Sequence, residues 1–541
     1  MSYEKIISSK KPLKSAINNH EAFKPISNIV KNSENMINYE GKSQVKGYDS
    51  YMKNPRLKKL QEEWLIEATI DEMQEKMEKG EVSSKELVLM YLHRIAQKDK
   101  NGPAINSVLE VNPDAVQIAA GLDAERKLKG TRGPLHGIPV LIKDNIDTAD
   151  KMHTSAGSLA LKESVAKEDS YVAEALRKAG AVILGKTNMT EWANFMTEGM
   201  PAGYSSRGGQ VLNPYGPGNF DVGGSSSGSG AAIASNFAAV AVGTETSGSI
   251  LSPASQNSLV GIKPTVGLIS RRGIIPIAHT QDTAGPMART VKDAVYLLDA
   301  LAGNDEKDPA VHSNPESDYT EFAGFLDENG LKGKRIGIAR EVYFDYLSGD
   351  KLEVMNHAVE QLKAFGAEVV DPVEIPSTNN KWKYDVLTYE FKADLNAYLR
   401  GLAPHIKVKS LADVIAFNHE NSEAALKYGQ TILEEAEKTS GTLTEEAYIS
   451  SLEEDVYFST EQGIDHVLKE HNLDAIVTPN NFGAGIPAKA GYPSITVPAG
   501  YSLENEPVGI TFTGKAFSEA GLISIAYAFE QGTKVRKSPL L

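Results

Sequence analysis

Cysteine is absent from the 541 residues. That excludes disulfides, thiolate-bound zinc, iron–sulfur clusters and a cysteine nucleophile, and it leaves a hydrolase to work through Ser, Thr, Asp, Glu, Lys or Tyr. Basic charge is in short supply: 56 Lys and Arg stand against 71 Asp and Glu, for a formal net charge of −15 at pH 7. A protein held on nucleic acid by counterion release needs a basic face, so no nucleic-acid partner is expected. The same balance disfavours docking on anionic membrane. Nowhere does an apolar run reach the roughly 18 residues of a membrane span, and the N-terminus lacks a signal-like apolar stretch. These features predict a cytoplasmic location. No His-Glu-x-x-His occurs and no His/Asp/Glu group has ligand spacing, so neither a metal nor a cofactor is expected.

The composition that remains, 41% hydrophobic and 23% charged, is that of a soluble globular protein with an extensive core. Residues 1–55 are rich in Asn, Lys and Ser without sustained periodicity, and read as a polar arm, disordered or wrapping. Order is expected from about Trp64. Thr69-Ile-Asp-Glu72 and Ser83-Ser-Lys-Glu86 are capping boxes, each opening a helix. From 130 to 290 Gly, Ser, Thr and Ala become dense, and runs such as Gly137-Ile-Pro-Val-Leu-Ile142 resemble buried strands. The apolar stretch 231–242, interrupted by Ser235 and Asn236, reads as a buried helix passing into a strand. Strand, helix and strand patterns at 335–339, 351–365 and 367–370 form a β-α-β unit, which predicts parallel pairing. Residues 380–470 are charged and helical in pattern, a cover over the sheet. Strand character returns at 474–478 and 494–498.

Two motifs resemble known sites and are read otherwise. Gly180-Ala-Val-Ile-Leu-Gly-Lys186-Thr187 has the letters of a P-loop, but its middle four residues form an apolar strand rather than a turn able to face phosphate. Gly224-Ser-Ser226-Ser-Gly228 has the letters of a nucleophile elbow. Seven histidines follow it, none in distinctive surroundings.

Three segments carry a sharper signal. Lys143 ends the apolar run Val140-Leu-Ile-Lys143, where burying a charged amine is costly unless it becomes neutral or finds acceptors. From that segment alone, a lysine that reaches the surface or pairs with Asp144 or Asp147 is the simpler reading. Val222-Gly-Gly-Ser225-Ser226-Ser-Gly-Ser-Gly230 combines glycines with the start of a helix. Gly243-Thr-Glu-Thr246-Ser247-Gly248-Ser249 follows an apolar strand and places hydroxyl and N–H groups at the rim of a sheet, where α/β folds bind ligands.

Together these segments resemble the amidase signature family of serine hydrolases: a lysine in K-D-N, then G-G-S-S, then a Gly/Thr/acid turn ending in serine, with Ser225 and Ser249 separated by 24 residues. The resemblance runs over about 64–300 and resumes at 474–531. It implies that Ser249 is the nucleophile, Ser225 the bridging serine after a cis Gly224–Ser225 bond, and Lys143 the base. It further implies that the backbone N–H groups of Thr246, Ser247 and Gly248 form the oxyanion hole. Ser247 stands where many members have Gly, Glu245 replaces the commoner Asp, and Ser227 and Gly230 alter the second motif. The turn is closer to the peptide amidase branch than to the transamidating subunit. The fold implied is α/β: one large domain over 56–541 with a mixed, largely parallel central sheet covered by helices on both faces, and a variable helical cover and substrate-pocket segment at 304–470. The expected activity is hydrolysis of a small amide or peptide amide through a serine acyl-enzyme. The alternatives are a fatty or aryl amide hydrolase with the same triad, the amidase subunit of a tRNA-dependent amidotransferase, or a silent binding protein on this fold. The segment at 380–470 and the loop Trp192-Ala-Asn-Phe195 are expected to shape the substrate pocket.

Overall fold

The structure is a computed structural model, and it describes residues 53–313 and 321–541. The polar arm read from residues 1–55 therefore falls, except for its last three residues, outside the described residues. Order begins earlier than Trp64. A helix runs over Pro55–Glu63, started by Asn54, whose side chain accepts the Arg56 N–H, and by proline in the first turn, where a missing N–H does no harm. Both capping boxes form as read, at Thr69 with Glu72 and at Ser83 with Glu86.

The framework is one eleven-stranded sheet. Its strands are β1 (Val108–Val111), β2 (Pro139–Lys143), β3 (Val182–Thr187), β6 (Val240–Glu245), β7 (Val260–Lys263), β8 (Thr283–Ala288), β9 (Arg335–Ala339), β10 (Glu368–Val373), β11 (Ala475–Pro479), β12 (Ser494–Tyr501) and β13 (Pro507–Thr513). Two short strands, β4 (Tyr204–Ser205) and β5 (Gly209–Gln210), pair apart from it. The spatial order is β1-β3-β2-β6-β8-β7-β12-β13-β11-β9-β10. The sheet is mixed. Parallel pairing is confined to two blocks, β3-β2-β6 and β11-β9-β10, and the other six pairings are antiparallel. The largely parallel character expected from the sequence describes these two blocks, where helices serve as crossovers. The strands between them return directly or through short excursions, which antiparallel pairing permits.

The apolar stretch 231–242 divides as expected, into the helix Ser227–Ala234 and the start of β6. Between 304 and 470, β9 and β10 enter the sheet around the helix Asp350–Ala364. The helices Asp385–Gly401, Leu411–Glu420 and Thr431–Glu437 contribute Leu387, Phe391, Leu395, Leu411, Val414 and Leu433 to a second apolar core. That core is shared with Trp192, Phe195, Ile275 and Ile277. The cover is thereby anchored on two loops at the same rim of the sheet. Among the described residues no helix is long and apolar enough to cross a membrane.

Candidate active site

β2 and β6 run parallel in the register Val140↔Val240, Leu141↔Ala241 and Ile142↔Val242. Their C-terminal ends, at Lys143 and at Thr244 and Glu245, therefore emerge side by side at one rim of the sheet, the end at which such folds place ligands. Every residue of β2 is buried, so the Lys143 side chain leaves the strand inside the protein, with 0% of the residue exposed. Its Nζ donates to Ser225 Oγ at 2.8 Å, to Thr244 Oγ1 at 2.9 Å and to the Thr244 carbonyl at 3.3 Å. Neither carboxylate near it in sequence reaches it. Asp144 accepts from Ser155 Oγ, the Gly157 N–H and Arg207, and Asp147 accepts from the Tyr398 hydroxyl. The snorkelling or paired lysine is overturned. Burial pushes the Lys143 amine down to about 7, opposed by the more distant carboxylates of Glu245 and Asp282. Desolvation disfavours the charged form, and among the described residues no ion pair restores it.

Ser225 is fully buried and follows a cis Gly224–Ser225 peptide bond. Its carbonyl accepts the Thr190 N–H at 3.0 Å. The chain reaches this position through Gly223, which has φ 71° and no room for a Cβ, because one would lie 2.7 Å from the Pro253 backbone. The neighbouring serines have separate duties. Ser226 Oγ donates to the Thr244 carbonyl at 3.0 Å and accepts the Thr244 N–H at 3.2 Å. Ser227 Oγ donates to the Gly223 carbonyl, and Ser229 Oγ bonds Thr187 Oγ1 and the Val242 carbonyl. The serine run is thus stitched to β6 and β3, and Ser225 is the member whose hydroxyl meets the lysine.

Ser249 lies beside this run. Its carbonyl accepts the Ser226 N–H at 3.1 Å, which brings the second and third sequence segments together. The residue is 7% exposed. Among the described residues its hydroxyl makes no hydrogen bond, to Ser225 or to any other protein group. The lysine-to-Ser225 link is formed, and the hydroxyl-to-hydroxyl link is not.

The turn between β6 and Ser249 is organised by Glu245. Its Oε1 accepts the Gly248 N–H at 2.6 Å, and its Oε2 accepts the N–H groups of Ile250 at 2.7 Å and Leu251 at 3.0 Å. This corrects one expectation: the Gly248 N–H is engaged by a carboxylate three residues earlier and is not a free donor. Among the described residues the backbone N–H groups without an acceptor here are those of Thr246, Ser247 and Ser249. The signal was present in the sequence, because an acid just before a turn of small residues can reach back to the N–H groups that follow it.

A cavity of about 420 Å³ opens beside this rim. Thr244, Thr246 and Asn145 reach it from the site, Ala193 from the loop at 192–195, and Asp394 and Ala397 from the cover. Most of its wall is residues 271–283, which the sequence reading did not single out. Asn145 Nδ2 donates to Thr244 Oγ1 at 3.0 Å, and its Oδ1 is buried without a partner.

The sequence decoys separate cleanly. Lys186 lies within β3, fully buried, donating to the Ile146 carbonyl at 2.6 Å and to Thr154 Oγ1 at 2.9 Å. The strand reading of the P-loop letters holds. His279 lines the cavity but is hydrogen-bonded to Asp394 at 2.8 Å, and among the described residues no histidine bonds to a serine of 225–229 or to Ser249. His279, Glu390 and Asp394 come close enough together to share an ion. Within the group, Glu390 accepts from Thr280 and Tyr448, and Asp394 Oδ2 accepts from the main-chain N–H and the ring of His279.

The sequence profile of the amidase family matches residues 86–523. The chain belongs to the amidase family. The solved structure of the peptide amidase from Stenotrophomonas maltophilia is 46% identical, covering 88% of this chain and 98% of that one with a TM-score of 0.83. An amidase family protein from Bacillus anthracis is 42% identical, covering 93% of this chain and 98% of its own with a TM-score of 0.87. An Arabidopsis thaliana protein that carries the name probable amidase is 44% identical over 487 residues, 87% of this chain and 91% of its own length. The chain is an amidohydrolase acting on amides.

Proposed function

We propose that this amidase hydrolyses a carboxamide, with the C-terminal amide of a peptide as the favoured substrate, through an acyl-enzyme on Ser249. The observation that carries the reading is the Lys143–Ser225 contact: a fully buried amine with no carboxylate partner, 2.8 Å from a hydroxyl. A neutral amine there accepts the Ser225 proton, and Ser225 accepts the proton of Ser249. Ser249 Oγ, which makes no hydrogen bond among the described residues, gives up its proton to Ser225 and attacks the carbonyl carbon. The carbonyl oxygen becomes an oxyanion held by the unused N–H groups of Thr246, Ser247 and Ser249, each worth about 3–4 kcal/mol when such a donor is lost. The C–N bond then breaks. The leaving nitrogen takes its proton from Ser225, which is reprotonated by the Lys143 ammonium. Water, deprotonated through the same relay, attacks the ester, releases the carboxylic acid and restores Ser249.

The preference for peptide amides is supported by the peptide amidase likeness over nearly the whole of both chains. It is also supported by the adjoining cavity, whose lining combines Ile274, Ile275, Pro276 and Ile277 with the charged Arg271, Arg272, Asp308 and Asp394. The decisive experiment is a panel of peptide, fatty-acyl and aryl amides assayed for released ammonia, with Ser249→Ala as the blank and a serine-directed phosphonate to mark the nucleophile. Ammonia from peptide amides, with labelling confined to Ser249, is the expected result. Labelling at another serine, or ammonia from glutamine only in the presence of partner subunits and tRNA, overturns it.

A further inference from the structure

The turn that supplies the free N–H groups is held at both ends. Glu245 holds the far end through Gly248, Ile250 and Leu251. The near end, Thr246, is gripped from the side of the cavity. Its hydroxyl donates to Asp282 Oδ1 at 2.6 Å, and its carbonyl accepts from Gln281 Nε2 at 3.2 Å. The other carboxylate oxygen of Asp282 accepts the main-chain N–H groups of Ile277 at 2.8 Å and Ala278 at 3.0 Å. Ile277, together with Ile274, Ile275 and Pro276, forms the apolar wall of the 420 Å³ cavity, and Asp282 itself lines it. One carboxylate therefore joins the turn to the wall against which a substrate side chain would rest.

We propose that Asp282 is a positioning residue that couples occupancy of the cavity to the geometry of the turn, so that an acyl group filling the cavity holds the Thr246 and Ser247 N–H groups in place for acylation. This rests on the reading of Ser249 as nucleophile. It assigns substrate selection to the 271–283 wall and expresses that selection in the rate of the chemical step rather than in binding. Misplacing donors by a fraction of an ångström weakens them only where charge develops. A small amide that leaves the cavity empty cannot draw on the coupling.

The test compares N-acetylphenylalaninamide, which carries a benzyl side chain for the cavity, with propionamide, which carries none. Asp282→Asn, Thr246→Val and Thr246→Ser are assayed for kcat and KM by ammonia release, and each is labelled with a serine-directed phosphonate. Asp282→Asn and Thr246→Val are expected to lower kcat for the larger amide by about tenfold or more beyond any loss on propionamide, with KM for the larger amide within about threefold. Thr246→Ser, which keeps the hydroxyl, is expected to restore the wild-type ratio of kcat between the two amides. If Asp282→Asn fails to fold, Thr246→Val carries the test, because it leaves the Asp282 bonds to Ile277 and Ala278 intact. Equal losses on both amides, a change in KM alone, or wild-type rates in Thr246→Val overturn the proposal while labelling at Ser249 persists. Absence of labelling at Ser249 in the wild type overturns the underlying nucleophile assignment instead.

Discussion

Lys143 Nζ lies 2.8 Å from Ser225 Oγ with no carboxylate bonded to it. The electrostatic consequence is one-sided: burial lowers its affinity for a proton to about 7, against an ordinary lysine value of about 10.4.

The first consequence is kinetic. The relay needs the neutral amine, so kcat/KM rises with pH, about tenfold per unit well below 7, and levels off above about 8. Lys143→Arg, which cannot lose its proton at these pH values, removes the limb together with the activity. Burial also raises the carboxyl of Asp282 to about 6. An Asp282→Asn profile that keeps its inflection near 7 therefore assigns the limb to the lysine. A pH-independent rate from 5 to 9 with chemistry limiting contradicts the assignment.

The second consequence concerns stability. The unfolded chain holds the Lys143 proton up to about pH 10.4, and the folded chain releases it near 7. Unfolded chains thus bind more protons between these values, and stability rises with pH across that window. Lys143→Met removes the desolvated amine. Thr244 retains Asn145 on its hydroxyl and Ser226 on its carbonyl, so only the Ser225 hydroxyl loses a partner. The variant is expected to be inactive yet to unfold roughly 2–4 °C higher at pH 7, with the gain shrinking toward pH 10. Scanning calorimetry at pH 7 and 9.5 checks both the sign and the trend.

Which serine of the run bridges to the nucleophile is decided by comparing neighbours. Ser225→Ala removes the hydroxyl at the lysine and is expected to lower kcat by about 10²–10⁴-fold with little loss of stability. Ser226→Ala removes the hydroxyl that accepts the Thr244 N–H and donates to the Thr244 carbonyl, leaving the carbonyl with Lys143 Nζ as its side-chain donor. It is expected to lose about 1–3 kcal/mol of stability while keeping kcat within about tenfold. A folded Ser226→Ala enzyme as slow as Ser225→Ala would transfer the bridging role.

The sequence carried the fold where its signals were local and periodic. The capping boxes at Thr69 and Ser83, the β2 run ending in Lys143, and the β-α-β pattern around Asp350–Ala364 all appear where they were read. The pairing of most strands was not legible, because antiparallel neighbours such as β6 and β8 are set by the whole sheet rather than by either strand. Likewise Lys143, Ser225 and Ser249 were nameable from their motifs, whereas the use made of each N–H in the turn was not. That depends on where the Glu245 carboxylate points after folding. Asp282 and the 271–283 wall were missed for a related reason. Their segment has strand-like and turn-like letters, and its role arises only from lying across the rim from Thr246.

The Glu245 clamp gives the most direct test of that lesson. Its two oxygens accept three N–H groups, from Gly248, Ile250 and Leu251, and the side chain is 1% exposed. Glu245→Gln preserves the shape but leaves one oxygen to accept and directs an NH₂ group at donors on the other side. At least one buried N–H then has no acceptor, a loss of about 1–3 kcal/mol in stability. The catalytic effect is expected to be larger than a lost fold contact would give. The turn carrying Thr246, Ser247 and Ser249 is free to shift, and a displacement of about 1 Å can lower kcat by about 10²-fold. Because the donors serve the oxyanion of any acyl group, the loss should be equal for large and small amides and should slow phosphonate labelling of Ser249 in proportion. Urea unfolding, ammonia release on both amides and the labelling rate measure the three separately. A variant destabilised by this amount yet labelled at the wild-type rate would show that the turn keeps its geometry without the carboxylate, and that the donors depend on the Asp282 side alone.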